Sequence, residues 1–266
     1  MDDPKIPLID HLVELRRRLM YSFLSLLILF VVCYWFSASI YDFLVQPLAD
    51  VTAKIGGTRR LIYTALHEAF FTYLKVAFFA AAFLSFPFIS VQIWMFVAPG
   101  LYKNEKQAFL PFLVATPVLF FLGGALVYYF VFPLAWQFFL SFESAGGPGQ
   151  MAIQLEAKVD EYLSLVMQLI FAFGLCFELP VLMTLLARAG IVTAEVLARK
   201  RRYAIVAAFV AAAILTPPDV ISQIGLAVPT IILYEVSIVA VRMIEKKRDK
   251  RKAVEDLEAD DATKDS

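Results

Sequence analysis

The sequence predicts an all-α membrane protein with six spans, and three observations carry that prediction. Of 266 residues, 61% are hydrophobic and only 18% charged, whereas a soluble domain is about half apolar. Mean hydropathy is +0.73. Several stretches reach the roughly 20 apolar residues that cross about 30 Å of hydrocarbon. Finally, lysines and arginines cluster beyond alternate ends of those stretches, as the positive-inside bias requires.

The elements follow in order. In LIDHLVELRRRL, apolar Ile9, Leu12, Val13, Leu15 and Leu19 recur at helical spacing, so an amphipathic helix over about residues 7–18 runs into the first span, Leu19 to Ser39. The outer loop that follows keeps apolar spacing at Ile40, Phe43, Leu44 and Leu48, which predicts short interfacial helices. Spans two to four are Ala69 to Ala98, Ala108 to Leu140 and Tyr162 to Ala187. Lys75 lies inside the second, near enough to its outer end to snorkel. The last two spans are marginal. Tyr203 to Thr216 gives only about 21 Å of helix, and Ser222 to Val241 carries Gln223, Pro229 and Glu235; the turn TPPD makes them an antiparallel hairpin.

Orientation comes from the cations. Arg16, Arg17 and Arg18 precede span one, Lys103 and Lys106 follow span two, Arg188 and the run from Arg199 to Arg202 follow span four, and Arg242 begins a basic run after span six. Both termini are therefore expected in the cytoplasm. Residues 1–242 read as a single membrane domain and 243–266 as a charged, disordered cytoplasmic tail. The N-terminus carries acids and no small-residue cleavage pattern ahead of its first apolar stretch, so it does not read as a removable signal peptide.

Chemistry-bearing motifs are few. There is no G-x-x-x-x-G-K-[ST] and no H-E-x-x-H, and Cys33 and Cys176 both sit in apolar runs. No enzyme, metal, cofactor or nucleic-acid partner is expected. What stands out is carboxylates in unusual places. Glu178 lies about 15 Å from the cytoplasmic end of span four, next to Pro180, which frees the carbonyl of Cys176 and makes the point wettable. Glu235 lies about a third of the way across span six by the same rise. A charge facing lipid there costs about 2.5 to 3.5 kcal/mol, so both acids should face protein or water, or be neutral and pin helix packing. Glu14 has Arg17 and Arg18 at i+3 and i+4, an ordinary surface ion pair by spacing alone. Glu105 lies in the short loop APGLYKNEKQ, where a solvated charge is unremarkable.

At these residues the chain resembles the TatC family, the multispanning core of the twin-arginine protein translocase. The resemblance runs from about Pro7 to Arg242 and is carried, in order, by LIDHLVELRRRL, WMFVAPGLYKNE, YYFVFPLAW, YLSLVMQLIFAFGLCFELPV and ILTPPDVISQ. It implies a concave, glove-like wall of six helices in the bacterial inner membrane. It implies export of folded proteins, driven by the proton gradient, with single-span TatA and TatB and with further copies of this chain in a TatB–TatC complex. Glu14 and Glu105 would bind the paired arginines of signal peptides, and Arg16, Phe96, Leu101 and Lys103 would shape the same surface. Two carboxylates suit two guanidinium groups, since each accepts a bidentate fork that lysine cannot offer. Asn104 stands where a histidine is often expected. Pro47, Tyr128, Glu178 and Asp219 fall on positions the family uses. Around the short fifth span, small residues beside Ala213 and Leu215, with polar Thr216 and Gln223, suggest a docking strip for a single-span partner. The alternative is a proton-coupled transporter or channel in which Glu178, Glu235, Lys75 and Asp219 form a relay; the missing internal repeat and the scarcity of polar residues along the spans count against it.

Overall fold

A computed structural model describes residues 8–56, 60–97, 106–144, 146–147 and 151–264. Its regular structure is helical. Among the described residues there is no β-strand, only isolated bridges that tie Ile62 to Lys158 and Ser144 to Ile153. Among the described residues, five stretches are long and apolar enough to cross a membrane: Ile9–Trp35, Glu68–Phe96, Phe112–Leu140, Val159–Arg188 and Val220–Asp249. The chain forms two compact units, one up to Gly174 and one from Leu175 onward.

In the first unit, α1 (Leu8–Trp35) is one uninterrupted helix that carries the amphipathic segment into the span. It packs along α3 (Glu68–Val97) and leaves Leu19, Phe23, Ile28 and Val31 exposed, an apolar face for lipid to cover. The expected short helices of the outer loop are a single helix, α2 (Ser37–Ile55), which buries Leu44, Pro47 and Val51. The third span is not a plain helix. It is α4 (Lys106–Leu126), a π-helical turn over Val127–Val131, and α5 (Phe132–Leu140). Pro133 explains the change, because it has no N–H for the carbonyl of Tyr129, and the turn before it widens until the Phe132 N–H reaches the Val127 carbonyl.

The core of this unit is aromatic. Phe120 stacks on Phe86 at 3.7 Å and meets Phe83 and Phe171 edge-on or tilted, at 4.9 and 5.9 Å. Glycines let α4 and α6 (Val159–Phe177) approach. A Cβ on Gly123 would lie 2.6 Å from the Phe173 carbonyl oxygen, and one on Gly174 would lie 2.6 Å from the Phe120 ring. Among lipid tails, which are as apolar as phenylalanine, this close packing rather than hydrophobic transfer holds helices together.

The second unit begins with the last turn of α6. Its helices are α7 (Leu179–Arg188), α8 (Ala194–Arg199), α9 (Arg201–Leu215) and α10 (Val220–Lys264). Ala187, Ala194, Leu197, Tyr234, Ile238 and Val241 pack together as its core. After α7 the chain reverses at Gly190, φ +75°, with the Ile191 N–H returning to the Leu186 carbonyl; a positive φ here suits glycine. Two points differ from the sequence reading. The fourth span is broken at Glu178, between α6 and α7. And α10 runs on through the charged tail to Lys264, where no regular structure was expected.

Candidate functional site

The first candidate surface lies where the start of α1 meets the end of α3. The Glu14 carboxylate accepts from Arg18 Nη2 at 3.1 Å, one helical turn away. Arg18 Nη1 donates to Gln92 Oε1 at 3.2 Å and to Met95 Sδ at 3.4 Å. Glu14 and Arg18 keep 24% and 19% of their side chains exposed, so water still reaches the pair. One turn further along each helix, His11 stacks on Phe96 at 4.3 Å and 16°. Arg16 and Arg17 project into the open. The structure thus brings Glu14, Arg16 and Phe96 to one end of the α1–α3 pair, while Glu105, Leu101, Lys103 and Asn104 lie outside the described residues. Sequence reasoning missed Gln92 and Met95. A glutamine in an apolar run was their only signal.

A second group gathers around α2. Pro47 has no N–H for the carbonyl of Phe43, four residues back. That carbonyl instead accepts the Tyr128 hydroxyl at 2.7 Å. The Tyr128 ring lies flat on Phe43, centroids 4.4 Å apart and planes 3° off parallel. The next carbonyl, of Leu44, accepts the Tyr162 hydroxyl at 3.1 Å. Pro47 and Tyr128, far apart in sequence, are one joint. Tyr162 is its third member, unsuspected from the sequence.

The remaining acids have local partners. Glu235 does not stand alone in span six: both its oxygens engage Arg201 at the start of α9, at 2.8 and 2.9 Å, with both side chains half-exposed. Beside it the Tyr234 hydroxyl donates to the Leu197 carbonyl at 2.9 Å. Asp219 is the N-cap of α10, its Oδ1 accepting the Ser222 N–H at 2.7 Å. Lys75 pairs with Asp160, in the first turn of α6, which is why a lysine is tolerated in that span. Glu178 is half-buried at the break, with φ −74° and ψ −7°. Its N–H bonds the Leu175 carbonyl, three residues back, and its carbonyl starts α7 by accepting from Leu182. Ala213 is exposed on α9, Leu215 and Gln223 are partly buried, and Thr216 is buried with its hydroxyl donated to the Ala212 carbonyl at 2.9 Å. Thr216 is thus turned inward. Among the described residues no three His, Cys, Asp or Glu side chains gather in a way that would hold a metal ion.

Together these features define a multi-pass, all-helical membrane protein. The family described as Sec-independent protein translocase protein (TatC) matches residues 10–229, and the chain belongs to that family. A Sec-independent protein translocase protein TatC from Magnetococcus marinus is 52% identical over 96% of this chain and 91% of its own. The protein of that name from Rickettsia prowazekii is 45% identical over 90% and 94%. A crystal structure of the twin-arginine translocase receptor TatC superimposes with a TM-score of 0.74 at 36% identity, covering 88% of this chain and 98% of that one.

Proposed function

We propose that the chain is the core and signal-peptide receptor of a twin-arginine translocase. In this role Glu14 and Glu105 bind the consecutive arginines of signal peptides at the cytoplasmic face. With TatA and TatB, in an assembly containing further copies of itself, the chain exports folded proteins across the inner membrane, driven by the proton gradient. The observation that carries the proposal is Glu14 itself, a water-accessible carboxylate already holding a guanidinium group on a surface shared with Arg16 and Phe96.

The finer architecture belongs to the same proposal. Helix α9, at 15 residues, is the fifth of six crossings although it spans only about 22 Å, and a crossing that short thins the bilayer around it. Both termini are cytoplasmic, as the cations after α7 and at the start of α9 favour. Residues 1–242 act as one membrane domain. A single-span partner docks along α9, where Val206, Val210 and Ile214 are exposed beside Ala213, with Gln223 as the polar contact. The alternative, a proton relay through Glu178, Glu235, Lys75 and Asp219, is disfavoured because Lys75 and Glu235 are each paired with an opposite charge and one Asp219 oxygen caps α10.

The test is peptide binding to the full chain in detergent. Glu14→Ala and Glu105→Ala should each weaken a twin-arginine peptide, by about 2 to 5 kcal/mol where the lost partner is desolvated and less where it stays wet. Unchanged binding in the double variant, at equal folded protein, would remove the receptor assignment.

A further inference from the structure

Arg18 makes more of the site than an i,i+4 surface pair does. Its two terminal nitrogens reach acceptors on different helices, Nη2 to Glu14 on α1 and Nη1 to Gln92 and Met95 on α3. Gln92 is only 5% exposed, so its amide oxygen is a fixed acceptor set in the wall between the helices. A planar guanidinium offers each of two such acceptors its own nitrogen in a fixed fork; an ammonium must serve both from one atom. Arg18 is nevertheless an imperfect occupant. Its Nε is buried with no hydrogen-bond partner, and its link to Glu14 is a water-accessible pair of the weak kind.

On the basis that Glu14 receives peptide arginines, we propose that Glu14, Gln92 and Met95 form a guanidinium socket which Arg18 fills at rest and which a signal-peptide arginine takes over. Arg18 then joins its exposed neighbours Arg16 and Arg17 at the interface. The resting contact keeps Glu14 neutralised and correctly turned. Gln92 is the specificity residue, because a lysine satisfied by Glu14 leaves the Gln92 oxygen without its donor, and that loss is what discriminates against lysine.

Fluorescence anisotropy tests this with the full chain in detergent and two labelled peptides, each with an apolar stretch preceded by two arginines or by two lysines. Removing the resident competitor with Arg18→Gln should tighten the arginine peptide about two- to fivefold, the range open to a partly exposed ion pair. Adding Gln92→Met to that variant should weaken the arginine peptide about tenfold, as for one charge-assisted hydrogen bond, and leave the lysine peptide unchanged. If Arg18→Gln does not insert, Arg18→Lys keeps the charge without the fork and must shift affinity in the same direction. Equal or weaker arginine binding by the Arg18 variant, while Glu14→Gln still weakens binding, overturns the socket and spares the receptor. An equal loss for both peptides on Gln92→Met overturns the specificity role. Parent-like binding by Glu14→Gln overturns Glu14 as an arginine ligand and the socket with it, whereas parent-like binding by the Glu14 and Glu105 double variant removes the receptor assignment.

Discussion

Tyr128→Phe removes one oxygen and keeps the ring on Phe43, so it isolates the hydrogen bond that Pro47 makes necessary. The bond is 2.7 Å long, the usual length for O–H···O, and Tyr128 is 8% exposed. Without the hydroxyl, the Phe43 carbonyl has no N–H at residue 47 to turn to. An acceptor left without its donor costs about 1 to 3 kcal/mol where it is buried. The same substitution in a Pro47→Ala background should cost much less, because an alanine N–H can serve that carbonyl directly.

The measurement is a double-mutant cycle on unfolding of the detergent-solubilised full chain. The expected coupling between positions 47 and 128 is about 1 kcal/mol or more, of the size seen between residues sharing a partner. Tyr162→Phe, aimed at the neighbouring Leu44 carbonyl, should couple to Pro47 more weakly. Equal destabilisation by Tyr128→Phe in both backgrounds would refute the reasoning. Tyr128 would then matter for its ring alone.

Gly123→Ala should destabilise by about 1 to 3 kcal/mol, the cost of overpacking, because its Cβ meets the Phe173 backbone rather than a movable side chain; Gly124→Ala, facing the tip of Phe83, should be milder, and the reverse order in unfolding midpoints would contradict the packing. A cysteine at Ala213 should crosslink to TatA or TatB in membranes whereas one at the buried Ala212 should not, and crosslinks found only on α1 or α4 would place the partner elsewhere.

How much was legible in the sequence depends on the kind of signal. The long spans were readable because twenty apolar residues leave few alternatives in a bilayer, and the unbroken run of α1 followed from helical spacing through HLVELRRRL. Breaks were less readable. Pro133 and Pro180 are both visible in the sequence, yet one produces a π turn and the other a break, and the difference lies in which N–H comes round to serve a carbonyl. Pairings across helices were not readable at all. Glu235 meeting Arg201, Lys75 meeting Asp160 and Arg18 meeting Gln92 depend on helix register. Asp219 stands just before α10, where an acid is a local cap signal that the sequence already carries.

The prolines also bear on what Glu178 does. In hydrocarbon an unserved backbone carbonyl costs several kcal/mol, so a proline inside a helix there calls for a local answer. Pro47, in the outer-loop helix α2, is answered by Tyr128, and Pro133, in the third span, by the π turn. Pro180 withholds its N–H from the Cys176 carbonyl, and there the chain breaks at Glu178. Of the residues the family resemblance marks, Pro47, Tyr128 and Glu178 all stand at such points. Two roles for Glu178 then predict different cycles. If it serves to keep the opened turn polar and hydrated, Glu178→Gln should export normally and Glu178→Leu poorly, and Pro180→Ala, which closes the ladder, should rescue the leucine variant. If ionisation is what transport uses, the glutamine variant should bind signal peptide yet export poorly whether residue 180 is proline or alanine. We expect the second pattern, because a neutral amide would serve an opened turn as well as an acid does. Export and peptide binding measured for the four variants at matched membrane levels decide it: full export by Glu178→Gln rejects ionisation, and rescue of Glu178→Leu by Pro180→Ala assigns the acid to the break.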